Sequence, residues 1–167
     1  MNHFEKIWKN KKDYVILDTE TTGFGESDRI VEIGITDVDG NVLLDTLVYT
    51  DVEISPAASN VNGIYNKDLE GKPTIEELTP QIDEILRDKI VLIYNADFDT
   101  RMLVQSGYKK AFKSECLMKH YMNYIYSKRW VKLAVAMERN GINIEQNHRA
   151  ADDCICCAKL IEKIANK

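Results

Sequence analysis

The sequence of 167 residues has little proline, no excess of positive charge and no long apolar run. With only three prolines and no repeat or low-complexity tract, the chain lacks a candidate linker, so we expect a single domain spanning residues 1–167. No apolar stretch is long enough to cross a bilayer, and the N-terminal residues lack the apolar core of a signal peptide. We therefore expect a cytoplasmic protein that does not associate with a membrane.

Cysteine is also scarce, and its spacing argues against a disulfide framework. Three of the four cysteines form the stretch Cys-Ile-Cys-Cys at residues 154–157, and the fourth is Cys116. A structural zinc site would need a second pair of ligands from another segment, which the sequence does not offer. The stretch indicates small side chains packed in a helix. His3 and His120 lie outside any motif, and the sequence assigns them no role.

The net charge of −5 argues against a protein that coats nucleic acid through bulk positive charge. It does not exclude an enzyme that handles one strand end through bound metal, because a cluster of catalytic acids would itself make the charge negative. A basic cluster at 127–132, Ser-Lys-Arg-Trp-Val-Lys, could grip a phosphate backbone and stack a base on Trp130. A solvated helix start with Trp130 in the core explains the same residues equally well.

The distribution of apolar residues predicts a mixed sheet flanked by helices. Residues 14–18, 29–37 and 42–49 are typical of strands, and Asp39-Gly40 predicts a hairpin between the last two. A further apolar run at 90–94 predicts a strand parallel to the first. Helices are predicted from a capping box at Thr74 and Glu77 through Leu86, through Met102 and Leu103, and over 116–126, 131–139 and 150–164.

Acidic side chains lie at the ends of two predicted strands and at the start of the last helix. Asp18 and Glu20 are two apart on the first strand, so their side chains point to the same face. Further acids occur in Asn95–Asp99 and His148–Asp153, and each stretch alone is typical of a solvated turn. If the stretches converge, their mutual repulsion requires divalent cations, and hard oxygen ligands favour Mg²⁺ or Mn²⁺. Two such ions can bind the attacking and leaving oxygens of a phosphodiester.

Together the three stretches resemble the motifs of the DEDDh, or DnaQ-like, family of 3′–5′ exonucleases, which includes the proofreading epsilon subunit of bacterial DNA polymerase III. Asp18-Thr19-Glu20 resembles the first motif, Asn95–Asp99 the second and His148–Asp153 the third. The resemblance extends over residues 13–165. It implies an α/β, RNase H-like fold with a mixed five-stranded sheet flanked by helices. It also implies hydrolysis from a 3′ end that releases nucleoside 5′-monophosphates.

The resemblance further implies a role for each motif residue. Two divalent cations, Mg²⁺ or Mn²⁺, would be bound by Asp18, Glu20, Asp99 and Asp153. The family's spacing selects Asp99 over Asp97 and Asp153 over Asp152. The general base would be His148, since imidazole titrates near neutral pH. The pocket for the terminal nucleotide would be lined by Thr21, Thr22 and Gly23.

Three neighbouring residues are also candidates for substrate contacts. Phe24 could pack on a base or ribose, or anchor its own loop in the core. Asn95 could hold a local backbone bond or contact the substrate, and Arg149 could contact a phosphate. Many relatives carry histidine where this chain has Tyr94 and Asn62. Neither is a metal-ligand position, so these departures leave the expected activity intact.

The sequence therefore predicts a metal-dependent 3′–5′ exonuclease that acts on single-stranded or frayed 3′ ends of DNA, in proofreading or repair. One alternative is an exoribonuclease or oligoribonuclease of the same superfamily. Another is a non-catalytic nucleic-acid-binding module, which the presence of all five motif residues disfavours. A DNA polymerase is a candidate partner. The chain ends at Lys167, directly after the last predicted helix, so we expect no C-terminal tether to one.

Overall fold

The computed structural model of the chain describes residues 1–167, and its centre is a mixed five-stranded sheet. The strands are β1 (Tyr14–Thr21), β2 (Ile30–Asp37), β3 (Val42–Leu47), β4 (Ile90–Ile93) and β5 (Lys113–Cys116). Their order across the sheet is β3-β2-β1-β4-β5. The first three are antiparallel neighbours, whereas β4 pairs parallel to β1 and β5 parallel to β4. The predicted mixed five-stranded sheet is confirmed.

Helices cover both faces of the sheet. They are α1 (His3–Lys9), α2 (Pro56–Asn62), α3 (Ile75–Leu86), α4 (Ala96–Gln105), α5 (Leu117–Tyr124), α6 (Leu133–Arg139) and α7 (Ala150–Ala165). Short 3₁₀ turns occur at Lys11–Asp13 and Asn66–Leu69. The capping box predicted for α3 is present, with the Glu77 N–H donating to Thr74 Oγ1 at 3.2 Å and the Thr74 N–H donating to Glu77 Oε2 at 3.0 Å. None of the helices has the length and apolarity needed to span a membrane.

The two faces of β1 belong to two different hydrophobic clusters. Tyr14 and Ile16 point to the face covered by α1, α5, α6 and α7, whereas Val15 and Leu17 point to the face covered by α3 and α4. This alternation follows from the period of two along a strand. Burial on both faces explains why the strand is a continuous apolar run.

The Cys-Ile-Cys-Cys stretch lies in α7, as predicted, and its three thiols are buried in the core. The Cys154 thiol lies against the backbone carbonyls of Ile16 and Gly34. Small side chains at these positions allow α7 to pack closely on β1 and β2.

The structure also contains elements that the sequence patterns did not predict, namely α1, α2 and β5. The strand β5 begins at Lys113, and its sequence, Lys-Ser-Glu-Cys, has no apolar alternation that would indicate a strand. The segment becomes a strand because its backbone pairs with the edge of β4.

Candidate active site

The acidic stretches converge at one end of the sheet. Asp18 and Glu20 lie on β1, and Asp153 lies in the first turn of α7, which packs against β1 and β2. Carboxylate oxygens of these three residues all lie within 4.8 Å of one another. Asp99 lies in the first turn of α4, directly after β4, and lines the same cleft. Because β1 and β4 are parallel neighbours, their carboxyl ends meet at the same edge of the sheet.

Of the two acids in the second motif, only Asp99 lies in the cleft. Asp99 Oδ1 accepts hydrogen bonds from the Thr19 N–H at 3.2 Å and the Thr19 hydroxyl at 2.7 Å. Asp97 is exposed and pairs with Lys119 Nζ at 3.1 Å. Similarly, Asp153 is buried in the cleft, whereas Asp152 is partly exposed and does not line it.

Burial and mutual repulsion raise the pKa of every carboxyl in this group. Burial is the larger cause throughout, and it raises the pKa of Glu20 to about 9, of Asp99 to about 7 and of Asp153 to about 6. The pKa of Asp18 is also raised well above its usual value, by burial of its carboxyl group and by the neighbouring carboxylates. The Asn62 amide opposes the shift at Glu20, as Thr19 does at Asp99.

Two carboxylate oxygens of the site, Asp18 Oδ2 and Asp153 Oδ1, are buried without a hydrogen-bond partner. Unpartnered buried polar atoms are rare because each costs about 1–3 kcal/mol. A divalent cation would satisfy both oxygens and remove the repulsion among the acids. The donor set is made entirely of carboxylate oxygen, which fits hard divalent metals.

A glycine on β2 brings α7 close enough to complete this group. Gly34 pairs with Asp18 across the ladder. A Cβ atom at Gly34 would lie 2.4 Å from the Ala151 nitrogen and 2.6 Å from the Ala150 carbonyl carbon. Only glycine therefore permits the first turn of α7 to lie directly on β2, which places Asp153 beside Asp18.

An ion pair between the buried Glu32 and the partly exposed Arg149 holds the start of α7 in this position. Glu32 on β2 is 1% exposed. Its Oε1 accepts a hydrogen bond from the Ala150 N–H at 2.8 Å, and both its oxygens accept from Arg149 Nε at 2.9 and 3.1 Å. The Arg149 Nη2 also donates to Glu32. Sequence reasoning missed Glu32, although an acid inside the apolar run Ile-Val-Glu-Ile-Gly is a signal for a buried pair.

His148 lies at the mouth of the cleft, in the segment before α7. Its φ of 53° places it in the left-handed region that non-glycine residues seldom adopt. The side chain lines the cleft together with Asp153, and the attraction between the two lowers the pKa of Asp153. The imidazole is thus beside the carboxylates and open to solvent, where a general base has to be.

The loop after β1 has a fixed internal structure. The Thr21 hydroxyl donates to the Gly23 carbonyl at 2.7 Å, and the Thr22 hydroxyl donates to Asp28 Oδ1 at 2.6 Å. A Cβ atom at Gly23 would lie 2.7 Å from Asp28 Oδ2. The threonine side chains are buried in this loop and do not line the cleft, and the predicted role of Thr21, Thr22 and Gly23 in a nucleotide pocket stays a prediction.

Aromatic side chains flank the acidic group in a cleft of about 560 Å³. Phe24 is 80% exposed, and its ring centroid lies 5.7 Å from that of Phe98. Trp130 is 75% exposed and also lines the cleft, so the alternative that placed it in the core is wrong. Asn95 lies on the same wall and makes no side-chain cap bond to α4. Arg149, by contrast, is bound to Glu32, and its predicted phosphate contact stays a prediction.

Comparison with known proteins gives three related findings. The chain is 30% identical to the uncharacterized exonuclease CP81 of Escherichia phage 186 over 92% of this chain and 88% of that protein. It is 33% identical to DNA polymerase III of the PolC type from Thermotoga maritima over 88% of this chain but only 11% of the polymerase. Among solved structures, exonuclease X in complex with 5′ overhanging duplex DNA matches with a TM-score of 0.73 and 28% identity, covering 92% of each chain.

The structural match confirms the RNase H-like fold. The sequence profile of the exonuclease family, of the RNase T type, matches residues 15–161, which is most of the chain. The profile spans all three acidic motifs. The chain therefore belongs to the DnaQ-like family of 3′–5′ exonucleases, as the resemblance of its motifs implied.

Proposed function

We propose that residues 1–167 form one exonuclease domain that removes nucleotides from the 3′ end of DNA and releases nucleoside 5′-monophosphates. The observation that carries this proposal is the convergence of three acidic stretches in one cleft, with two buried carboxylate oxygens left without a partner. In an acidic cluster with a purely structural role, hydrogen bonds from the protein would satisfy the buried carboxylate oxygens, whereas here two of these oxygens have no partner.

The four carboxylates would hold two divalent cations, Mg²⁺ or Mn²⁺, with Asp18, Glu20, Asp99 and Asp153 as ligands. Bound there, such ions stabilise the charge on the attacking and leaving oxygens of the phosphodiester. Thr19 fixes Asp99 through two hydrogen bonds, and the pair formed by Glu32 and Arg149 fixes the helix that carries Asp153. The ligands are thus set in place before the substrate arrives, which removes a reorganisation cost from the reaction.

His148 would accept the proton of the attacking water. It sits at the mouth of the cleft beside the carboxylates, where it can reach both the bulk solvent and the reacting phosphate.

The aromatic walls support a single-stranded 3′ end as the substrate. Phe24, Phe98 and Trp130 offer faces on which any base can stack, and base-stacking of this kind carries little sequence preference. Lys132 adds a positive charge on the same side as Trp130. The duplex with a 5′ overhang bound by exonuclease X and the match to a replicative polymerase favour DNA, and proofreading or repair as the setting.

The test is a time course on matched oligonucleotides labelled at the 5′ end. With Mg²⁺ or Mn²⁺, single-stranded DNA should shorten stepwise from the 3′ end, and chromatography should identify nucleoside 5′-monophosphates as the product. EDTA should stop the reaction, and a blocked 3′ end should prevent it. Faster loss of the matched RNA would favour the exoribonuclease alternative. Cleavage from the 5′ end, internal cleavage or no cleavage with either metal would overturn the proposal.

A further inference from the structure

A second group of metal-ligating side chains lies outside the catalytic cleft. His3 begins α1, Glu115 lies on β5, and His120 lies on α5. Ligand atoms of all three lie within 4.8 Å of one another. None of them lines the cleft that holds the carboxylates, and the exonuclease motifs give them no role.

The spacing of the donor atoms matches that of a metal coordination sphere. Glu115 Oε2 lies 2.8 Å from His120 Nε2 and 3.3 Å from His3 Nε2. In a tetrahedral zinc site with bonds of about 2.0–2.1 Å, neighbouring ligand atoms are about 3.3 Å apart. A cation could therefore join the three donors if it replaces the hydrogen bond between His120 and Glu115 and the exposed His3 side chain turns towards it.

The positions of the two imidazoles also suit a shared ligand. Both Nε2 atoms lie close to the same Glu115 oxygen. The rings are stacked with centroids 3.7 Å apart and an interplanar angle of 24°, so the His3 ring has to turn for both nitrogens to bind one ion in their ring planes. His120 has a side chain that is only 17% exposed, which fixes its direction, whereas His3 is 41% exposed. Glu115 is held by the parallel pairing of β5 with β4.

The chemistry of the donors differs from that of the catalytic site. Two imidazole nitrogens and one carboxylate oxygen suit zinc and other borderline transition metals, whereas all-carboxylate sets suit Mg²⁺ or Mn²⁺. The group adjoins a surface hollow lined by Asn2, Asn123 and Tyr126, which gives an ion access and leaves a fourth position for water.

We propose that His3, Glu115 and His120 bind one transition-metal ion of the zinc class, at a site separate from the catalytic carboxylates. The ion joins the N-terminus of α1 to β5 and α5, which follow each other in the chain and are distant in sequence from α1. It serves as a clamp for α1, whose other anchor is the burial of Phe4 and Ile7.

The experiment uses the full chain with Asp18→Asn and Asp153→Asn, so that the catalytic site no longer competes for the metal. After EDTA treatment and buffer exchange, calorimetric titration with Zn²⁺ should show one equivalent bound. Co²⁺ should give the visible absorption bands of a tetrahedral nitrogen- and oxygen-ligated ion. The melting temperature should rise with bound metal, because the ion binds the folded state.

Ligand substitutions in this background decide the assignment. His3→Gln and His120→Gln should each weaken Zn²⁺ binding more than about 100-fold, since loss even of groups outside the ligand set costs about 10–100-fold. Asn123→Ser, in the same hollow, should bind as the parent does. Equal melting temperatures in EDTA would show that the exposed His3 variant is folded. Absence of Zn²⁺ binding in the parent, or binding that both histidine variants retain, would overturn the proposal and leave a hydrogen-bonded cluster.

Discussion

Glu32→Gln tests whether the ion pair between Glu32 and Arg149 positions the end of α7 that carries Asp153. Glu32 accepts hydrogen bonds from the Arg149 guanidinium and from the Ala150 N–H. Glutamine is nearly isosteric, but one of its terminal atoms is a donor and would face a donor of the protein. A hydrogen bond to a charged group contributes about 1.5–3 kcal/mol. The Arg149 side chain is 44% exposed, so solvent screens its share.

We therefore expect Glu32→Gln to lower the free energy of unfolding by about 2 kcal/mol, measured by urea denaturation in EDTA. The effect on catalysis should be larger in relative terms. Asp153 lies one turn into the helix that Glu32 anchors, and a displacement of about 1 Å at a catalytic group costs about 100-fold in rate. Single-turnover hydrolysis of labelled DNA should fall by about 10–100-fold.

Arg149→Met removes the other member of the ion pair and is the second variant of this test. If Arg149 acts through Glu32, its loss also lowers stability, and the double variant shows a coupling energy above about 1 kcal/mol. Wild-type stability in Glu32→Gln would refute this reasoning. So would an Arg149→Met protein with unchanged stability and a raised KM, since that pattern belongs to a residue that contacts the substrate phosphate.

Further expectations concern the packing, the rim and the protonation of the site. Gly34→Ala should lower the free energy of unfolding by about 3 kcal/mol, measured by urea denaturation, and remove most of the activity, because its Cβ would lie 2.4 Å from the α7 backbone. Near-wild-type stability of this variant would contradict the expectation. Trp130→Ala should raise the KM for single-stranded DNA about tenfold, because stacking of one base on an aromatic ring contributes about 1–3 kcal/mol to binding. Tyr126 is also exposed but lies outside the cleft, so Tyr126→Ala is the matched control and should leave KM unchanged. Burial raises the pKa of Glu20 to about 9 in the metal-free protein. The native state then holds a proton that the unfolded chain loses near pH 4, so stability in EDTA should fall as pH rises from about 4 towards 9. Glu20→Gln should flatten this fall in denaturation curves at several pH values, and an unchanged slope would refute the assignment.

Much of the architecture follows from local patterns. β1 is an unbroken apolar run because both its faces are covered, and the capping box of α3 is visible in its first residues. β5 and α1 were not predictable in this way. β5 is four residues long and polar, and it is a strand because β4 offers an edge. α1 has seven residues, too few for periodicity, and is stabilised by the burial of Phe4 and Ile7.

The active site likewise combines residues that local sequence patterns indicate with contacts that they do not. The acids at the ends of strands were visible, because charge at the end of a buried run is unusual. Which acid of each pair enters the cleft came from family spacing, since Asp97 and Asp99 share the first turn of one helix. The contact between Glu32 and Arg149 joins residues 117 positions apart, so the apolar run around Glu32 indicates a buried acid but does not identify its partner. The close approach at Gly34 is likewise a property of the packed structure.

We propose that a particular set of carboxylates, brought together by the fold, performs metal-dependent hydrolysis at a 3′ end. The most direct measurement compares Asp99→Asn with Asp97→Asn in single-turnover hydrolysis of 5′-labelled single-stranded DNA with Mn²⁺. Both changes neutralise an acid in the first turn of α4, but only Asp99 lines the cleft. We expect Asp99→Asn to lose at least about 100-fold in rate and Asp97→Asn to stay within about threefold of wild type. Equal losses, or an active Asp99→Asn protein, would contradict the account.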